Sequence, residues 1–160
     1  MVAEFIEAQQ SAQIYIAAGI AEKADELMAS SKIELASKKY ADAGAAFEKF
    51  IQDYPDSELY ANTLLRAAES YESSGNTEKA NKLFQDFVDK FPSHPKSPYQ
   101  LFRIASNYQS ALDYSNAIKY FQTLYDQTYG KGKAYPDALN GLYNVSLLKI
   151  GVGDYKGAAK

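Results

Sequence analysis

The stretch YANTLLRAAESYESSGNTEKANKLFQDFVDKFP, residues 60–92, decides the fold of this chain. Apolar and small side chains recur in it at the three- and four-residue spacing of amphipathic helices. The run Ser74–Asn76 in its centre contains the glycine of a turn. Pro92 closes the stretch, because proline lacks the backbone donor that a continuing helix needs. The stretch therefore predicts two helices joined by a tight turn.

A motif in the second half of that stretch recurs along the chain: alanine, phenylalanine four residues later, then proline after eight more. It is complete at two places, has Tyr129 in place of the proline at a third, and begins again near the end of the chain. The four alanines, Ala43, Ala80, Ala117 and Ala158, lie 37, 37 and 41 residues apart. A fixed period of this length is typical of stacked helical repeats. The sequence thus predicts a solenoid whose units pack on their neighbours.

The residues around the motif resemble the tetratricopeptide pattern. In residues 60–92 the pattern positions are occupied by small and aromatic residues, namely Leu64, Ala68, Tyr71, Ala80, Phe84 and Pro92. Small residues are needed where the two helices of a unit cross, and the phenylalanine fills the groove to the next unit. The crossing residues are expected to be Ala68, Ala80, Ala105 and Ala117. We therefore expect an all-α, right-handed superhelical tetratricopeptide solenoid of antiparallel helix pairs.

Helices are predicted over most of the chain, at residues 40–54, 57–73, 77–91, 98–111 and 114–128. Residues 3–37 have helical spacing interrupted by Gly19, and form either two helices or one long one. We expect residues 1–23 to be an N-terminal helix or capping segment. Residues 24–160 are expected to form the repeat array, about three repeats plus a truncated fourth.

The composition excludes several classes of site. The 160 residues include no cysteine and one histidine, so a disulfide framework and a cysteine zinc site are excluded. His94 has no second histidine or cysteine with which to hold a metal or activate a nucleophile, and is expected in a surface loop. The net charge of −3 argues against a nucleic-acid ligand. We expect no enzymatic activity, no cofactor and no metal.

Neither a membrane span nor a phosphate-binding loop is predicted. No run of apolar residues is long enough to cross a bilayer, and the N-terminus lacks the positive start of a secretory signal. The connection DQTYGKGKAYPD, residues 126–137, lacks the spacing of a phosphate loop. A solvated basic connector is the expected structure there.

The first helices of tetratricopeptide units line the inner groove, so their inward positions are the candidate binding residues. Exposed aromatic side chains often provide the binding energy at such surfaces. The alternative is that Phe102 and Tyr143 are covered by the superhelix or by a second copy of the chain. The predicted partner-binding residues are Leu65, Glu69, Tyr99, Phe102, Ser106, Gln109 and Tyr143.

The segment FEKFIQDYPDSELYANTLLRAAESYESSGNTEKANKLFQDFVDKFPSHPKSPYQLFRIASNY begins at Phe47 and resembles bacterial envelope tetratricopeptide proteins. It is similar to the C-terminal repeats of the Tol-Pal-associated cell division coordinator and to the tetratricopeptide lipoprotein of the outer-membrane β-barrel assembly machine. The resemblance covers about residues 40–125. It implies a non-catalytic scaffold in the periplasm or cell envelope of a bacterium that binds a protein or peptide partner. The alternatives are a self-assembling, homo-oligomeric platform and the recognition arm of a larger protein.

Overall fold

The computed structural model describes residues 2–132 and 135–158, and the regular structure in that part of the chain is helical. A short 3-10 helix, Tyr129–Lys131, follows the sixth helix. The α-helices are α1 (Val2–Ala29), α2 (Ile33–Asp53), α3 (Tyr60–Ser73), α4 (Thr77–Lys90), α5 (Ser97–Ser110), α6 (Tyr114–Gln127), α7 (Pro136–Gly151) and α8 (Tyr155–Ala158).

The chain divides into two compact units, Met1–Phe87 and Val88–Lys160. In the first unit α1 packs against α2, and α2 packs against α3. In the second unit α6 packs against both α5 and α7, and α7 also contacts α5. Consecutive helices joined by short turns and packed side by side confirm the predicted all-α repeat fold. The predicted boundary between residues 23 and 24 lies inside α1 and stays a prediction.

The first helix of each pair ends in the same left-handed turn. The residues at its apex, Ser31, Gly75, Leu112 and Gly153, have φ of 59°, 84°, 61° and 84°. In the second turn the N–H of Gly75 donates to the carbonyl of Glu72, and the next N–H donates to the carbonyl of Tyr71, both at 2.9 Å. This is the Schellman arrangement, which favours glycine because a Cβ is strained at positive φ. The predicted turn at Ser74–Asn76 is confirmed, and Ser31 and Leu112 form the same turn without glycine.

The residue after each apex immediately precedes the second helix of the pair. Asn76 accepts the N–H of Lys79 on Oδ1 at 3.2 Å, and Asp113 accepts the N–H of Asn116 in the same way at 3.2 Å. These bonds satisfy amide groups that a helix N-terminus leaves without partners. Lys32 stands at the corresponding position before α2 and makes no such side-chain bond.

The first helix pair is longer than the sequence indicated. Residues 2–29 form one helix, and α2 begins at Ile33, seven residues before the predicted start at Tyr40. The α2 helix has 21 residues, whereas α4 and α6 have 14 each. Ala36 follows the apex Ser31 at the distance that separates Ala80 from its own apex, and both alanines are fully buried. Ala43, Phe47 and Pro55 keep the spacing of the motif, so the extra residues lie before Ala43, at the start of α2, where no glycine marked the turn.

The connections between repeats share a proline-containing turn. In the first connection the N–H of Ser57 donates to the carbonyl of Tyr54 at 3.2 Å, and in the second the N–H of His94 donates to the carbonyl of Phe91 at 2.9 Å. His94 also accepts the N–H of Lys96 on Nδ1 at 3.1 Å. This half-buried imidazole thus helps to shape the connection in which the sequence placed it. In the later connection, residues 126–137, Lys133 lies outside the described residues and the basic character stays a prediction.

The repeated small and aromatic residues form the core. Phe121 is fully buried and belongs to one core cluster with Val145 and Leu148 of the next repeat. A Cβ on Gly141 would lie 3.0 Å from the Phe121 ring. In the first unit a Cβ on Gly44 would lie 3.0 Å from the Tyr71 ring. The aromatic ring therefore packs where its neighbour offers backbone without a side chain. The predicted crossing residues are all fully buried: Ala68, Ala80, Ala105 and Ala117.

Candidate protein-binding surface

The shared turn gives a common register for the first helices α1, α3, α5 and α7. Counting back ten residues from each apex gives Ala21, Leu65, Phe102 and Tyr143. Counting back six gives Asp25, Glu69, Ser106 and Leu147. Residues at one position of this register occupy equivalent places on their helices, so their exposure can be compared directly.

Exposure at the ten-residue position increases from α3 to α7. Leu65 is 3% exposed, Phe102 is half-buried and Tyr143 is 66% exposed. The prediction that Leu65 binds a partner directly is not supported, because α3 is buried on more than one face and Leu65 is part of the core. Phe102 has a mixed role, since its ring packs edge-on against Phe121 with the centroids 5.7 Å apart.

Five of the predicted residues lie on two neighbouring helices of the second unit, α5 and α7. We define the α5–α7 surface as these five residues, Tyr99, Phe102, Ser106, Gln109 and Tyr143. Tyr99 is 47% exposed, and the guanidinium carbon of Arg103 lies 5.6 Å from the centre of its ring. Ser106 and Gln109 are partly exposed. Because α5 contacts α7, this surface combines aromatic and polar side chains within one unit.

The phenol groups next to this surface keep their protons. Burial raises the pKa of Tyr135 to about 12, and the nearby Asp137 and Tyr99 add to the effect. Burial also raises the pKa of Tyr120, with a further contribution from Tyr108, whose ring stacks on it at 5.6 Å. These rings are therefore neutral at physiological pH and present apolar faces with hydroxyl groups at one end.

Glu69 lies in the first unit, in a cleft of about 210 Å³ between α1, α2 and α3. The Arg66 guanidinium carbon lies 4.6 Å from the centre of the Phe47 ring in this cleft. The hydroxyl of Tyr40 donates to Asp25 Oδ1 at 2.5 Å, and this bond raises the pKa of Tyr40. We call this the α1–α3 cleft; its lining residues are Ala21, Asp25, Tyr40, Phe47, Arg66, Glu69, Ser70 and Ser73.

Sequence reasoning missed the contribution of α1 to this cleft. Ala21 and Asp25 occupy the same register positions as Leu65 and Glu69, but the pattern in residues 1–37 did not fix the register of α1. The two serines before Lys32 are the signal that could have located the turn, since serine is common in turns.

Two further observations concern metal binding and membrane insertion. In the part of the chain that the structure describes, no group of three or more metal-ligating side chains is found. None of the described helices is both long and apolar enough to span a bilayer.

Comparison with known families identifies the chain more closely. The sequence profile of YfiO, an outer membrane lipoprotein family, matches residues 20–117. This chain belongs to the YfiO family. The match extends from α1 into α6 and so includes the α1–α3 cleft and all of α5. A comparison with the curated proteins gives no match.

The YfiO description bears on compartment and activity. An outer membrane lipoprotein family agrees with the bacterial cell envelope expected above, while the periplasm stays a prediction. The YfiO family is generally non-catalytic and suggests a role in protein–protein interaction.

Solved structures confirm the fold. The chain is similar to TPR-like repeats of a kinesin light chain from Podosopora anserina, with a TM-score of 0.56 and 14% identity. A variant of that protein gives a TM-score of 0.59 at 14% identity. In both cases the similarity covers 88% of this chain and 68% of the other. At this identity the likeness establishes the tetratricopeptide-like fold alone.

Proposed function

We propose that this chain is a scaffold of the bacterial envelope that binds a segment of a partner protein on the α5–α7 surface. Membership of the YfiO family supports the envelope, and the proposed location is the periplasm. The ligand is a protein or peptide, not a nucleic acid, and the role includes no catalysis or cofactor.

The exposure of Tyr143 is the observation that carries this proposal. Its side chain is 66% exposed on α7, although the equivalent position of α3 is in the core. Tyr99 adds a second exposed aromatic ring on α5. Tyrosine is enriched at interaction surfaces because it provides a large, rigid contact area together with a hydroxyl group. Two such rings on neighbouring helices suit a partner segment with apolar side chains.

The other residues of the α5–α7 surface have secondary roles in the proposal. Phe102 helps to hold the surface in place, because its ring packs against the buried Phe121. Ser106 and Gln109 offer hydrogen bonds to the backbone of a bound segment. Glu69 belongs to the first unit, so its contribution through the α1–α3 cleft is tested separately.

The test is affinity capture from a bacterial extract, with the captured proteins identified by mass spectrometry. The wild-type chain is compared with the Tyr99→Ala, Tyr143→Ala double variant at matched circular dichroism. Truncation of an aromatic anchor typically costs about 2 kcal/mol or more of binding free energy. The double variant should therefore bind its partner more than about tenfold more weakly than the wild-type chain. Tyr15→Ala is the control, because Tyr15 is 78% exposed on α1 and outside the surface.

Equal capture by the wild-type chain and the double variant would refute the α5–α7 surface as the binding site. Loss of capture in Tyr15→Ala as well would indicate a general effect of removing surface tyrosines. Glu69→Gln is measured alongside. A loss confined to Glu69→Gln would move the binding site to the α1–α3 cleft.

Self-association is the second candidate, and the apolar stripe of α7 favours it. The stripe is formed by Leu139, Tyr143, Leu147 and Ile150, which are 48%, 66%, 47% and 47% exposed. A second copy of the chain on this stripe would bury it. Light scattering across a dilution series separates the two candidates. A mass that falls with dilution and becomes monomeric in Leu147→Ser would favour self-association, whereas a constant monomer mass would leave partner binding.

A further inference from the structure

The first unit has a second cleft, and its volume of about 510 Å³ exceeds that of the α1–α3 cleft. It lies between the N-terminal part of α1 and the connection from α2 to α3. We call it the turn cleft; its lining residues are Ala3, Ile6, Glu7, Gln10 and residues 56–59. It shares no lining residue with the α1–α3 cleft or the α5–α7 surface.

Two large apolar side chains are exposed in the turn cleft. Ile6 of α1 is 41% exposed, and Leu59 at the end of the connection is 40% exposed. They come from segments about fifty residues apart in sequence, so the fold has brought them to one site. Apolar walls on two sides of a hollow favour the insertion of an apolar side chain.

The charged side chains that line the turn cleft are all acidic. Glu7, Asp56 and Glu58 line it, and no lysine or arginine is among its described lining residues. The backbone of the turn does not require the carboxylates of Asp56 and Glu58. The connection in the second unit has the same backbone bonds, yet residues 91–96 read FPSHPK, with a lysine and no acid.

Hydrogen bonds from α1 fix the two walls of the turn cleft. The hydroxyl of Ser57 donates to Gln10 Oε1 at 2.9 Å, and Gln13 Nε2 donates to Asp53 Oδ2 at 3.1 Å. Ser57 also accepts the N–H of Leu59 at 3.2 Å, which holds that residue at the rim. The cleft is thus formed before a ligand arrives, which lowers the entropic cost of binding.

We propose that the turn cleft binds a protein segment in which apolar side chains are flanked by lysine or arginine. The apolar side chain packs between Ile6 and Leu59, and the basic side chains pair with Glu7, Asp56 and Glu58. Charge complementarity selects this occupant, because an acidic or zwitterionic surface gains nothing from three carboxylates around an apolar hollow. The proposal adds a second docking surface to the chain and does not depend on the α5–α7 surface.

The experiment measures peptide binding by fluorescence anisotropy with the intact chain. The probe is an amphipathic peptide of leucine and lysine, compared with one in which glutamate replaces every lysine and one in which serine replaces every leucine. We expect the leucine–lysine peptide to bind best, and to bind several-fold more weakly when salt rises from about 50 mM to about 300 mM.

Variants locate the peptide on the chain. Glu7→Lys with Glu58→Lys should weaken the leucine–lysine peptide at least tenfold and improve binding of the leucine–glutamate peptide. Leu59→Ser should weaken both leucine-containing peptides. The matched controls are Leu35→Ser, at a leucine 56% exposed on α2, and Glu78→Gln, in the first turn of α4; both should leave binding unchanged.

Several results would overturn the proposal. They are no binding of the leucine–lysine peptide up to about 1 mM, binding that the charge reversal leaves unchanged, and equal affinity for the two leucine-containing peptides. Binding of the chain to phosphatidylcholine–phosphatidylglycerol vesicles, weakened by Leu59→Ser while peptide binding is absent, would assign the cleft to a lipid surface instead. The Tyr99→Ala, Tyr143→Ala variant should retain the peptide, so failure of the turn cleft and failure of the proposed function are distinguishable.

Discussion

The first helices of the two units carry the same register but very different surfaces. In the first unit, Leu65 is buried. Its equivalent on α1, Ala21, lines a small cleft together with Asp25 and Glu69. In the second unit the corresponding residues, Phe102 and Tyr143, reach the surface. The repeat therefore determines the position of a residue on its helix, whereas the neighbouring helices determine whether its side chain lies in the core or on the surface.

Truncating one register position in three repeats tests this comparison with the largest expected effects. Leu65→Ala should lower the free energy of unfolding by about 2–5 kcal/mol, because it leaves a cavity in a packed core. Phe102→Ala should cost about 2 kcal/mol, since only part of its ring is buried, and Tyr143→Ala less than about 0.5 kcal/mol. Urea unfolding followed by circular dichroism measures all three. A Tyr143→Ala cost equal to that of Phe102→Ala would show that Tyr143 is packed and not available to a partner.

Glycine substitution tests how tightly the helices of the first unit pack. Gly44→Ala should destabilise the chain by about 1–3 kcal/mol, because the added Cβ would lie 3.0 Å from the Tyr71 ring. Gly19→Ala in α1 is the matched control, since open space surrounds that position. The control should stabilise the chain by about 0.5–1 kcal/mol through the better helix propensity of alanine. Thermal unfolding that gave both variants the same sign would contradict the close approach at Gly44.

The aromatic character of the second unit predicts a loss of stability at alkaline pH. The pKa of Tyr135 is raised to about 12 in the folded chain, against about 10 for an unfolded tyrosine. As pH rises from about 10 to about 12, the unfolded chain releases this proton while the folded chain retains it, so the free energy of unfolding falls. Partial solvent access limits the contribution to about 1 kcal/mol. Tyr135→Phe should reduce this fall in urea titrations across that range, and an unchanged slope would mean that other groups cause it.

Substitutions in the left-handed turns should give the smallest changes in the free energy of unfolding. One turn from each unit can be compared directly. Leu112→Gly should raise the free energy of unfolding by about 0.5–1 kcal/mol, because φ of 61° strains a residue that has a Cβ. Gly75→Ala, at φ of 84°, should lower it by about the same amount. Differential scanning calorimetry of the two variants measures the opposite shifts in Tm. A destabilised Leu112→Gly variant would show that the leucine makes stabilising contacts despite its exposure.

The repeat fold was predictable because a few residue types are physically required at fixed places. Alanine at the helix crossings and phenylalanine between repeats appear in the sequence at one period, and the structure buries them as expected. The start of α2 was missed because Ser31 adopts a positive φ without being glycine. A glycine in the sequence marks a turn that needs a positive φ. At other places the surrounding packing can hold a residue other than glycine in the same turn.

The candidate sites were predictable only in part. Tyr99 and Tyr143 are exposed on first helices, as the pattern indicated, and their binding role stays a prediction. Leu65 is buried, contrary to expectation, because exposure depends on neighbouring helices that the pattern of one helix does not describe. The turn cleft was not foreseen, since Ile6 and Leu59 are far apart in sequence and meet only in the folded unit.

The extra length of α2 shows which insertions the packing of a repeat tolerates. Seven residues are close to two full helical turns, so the insertion lengthens the helix by roughly 10 Å and rotates its buried stripe by only about 20°. Ala36 and Ala43 can both be buried for that reason. An insertion of three or five residues would instead rotate the stripe away from its neighbours. A seven-residue insertion therefore lengthens α2 while its buried residues still face the neighbouring helices.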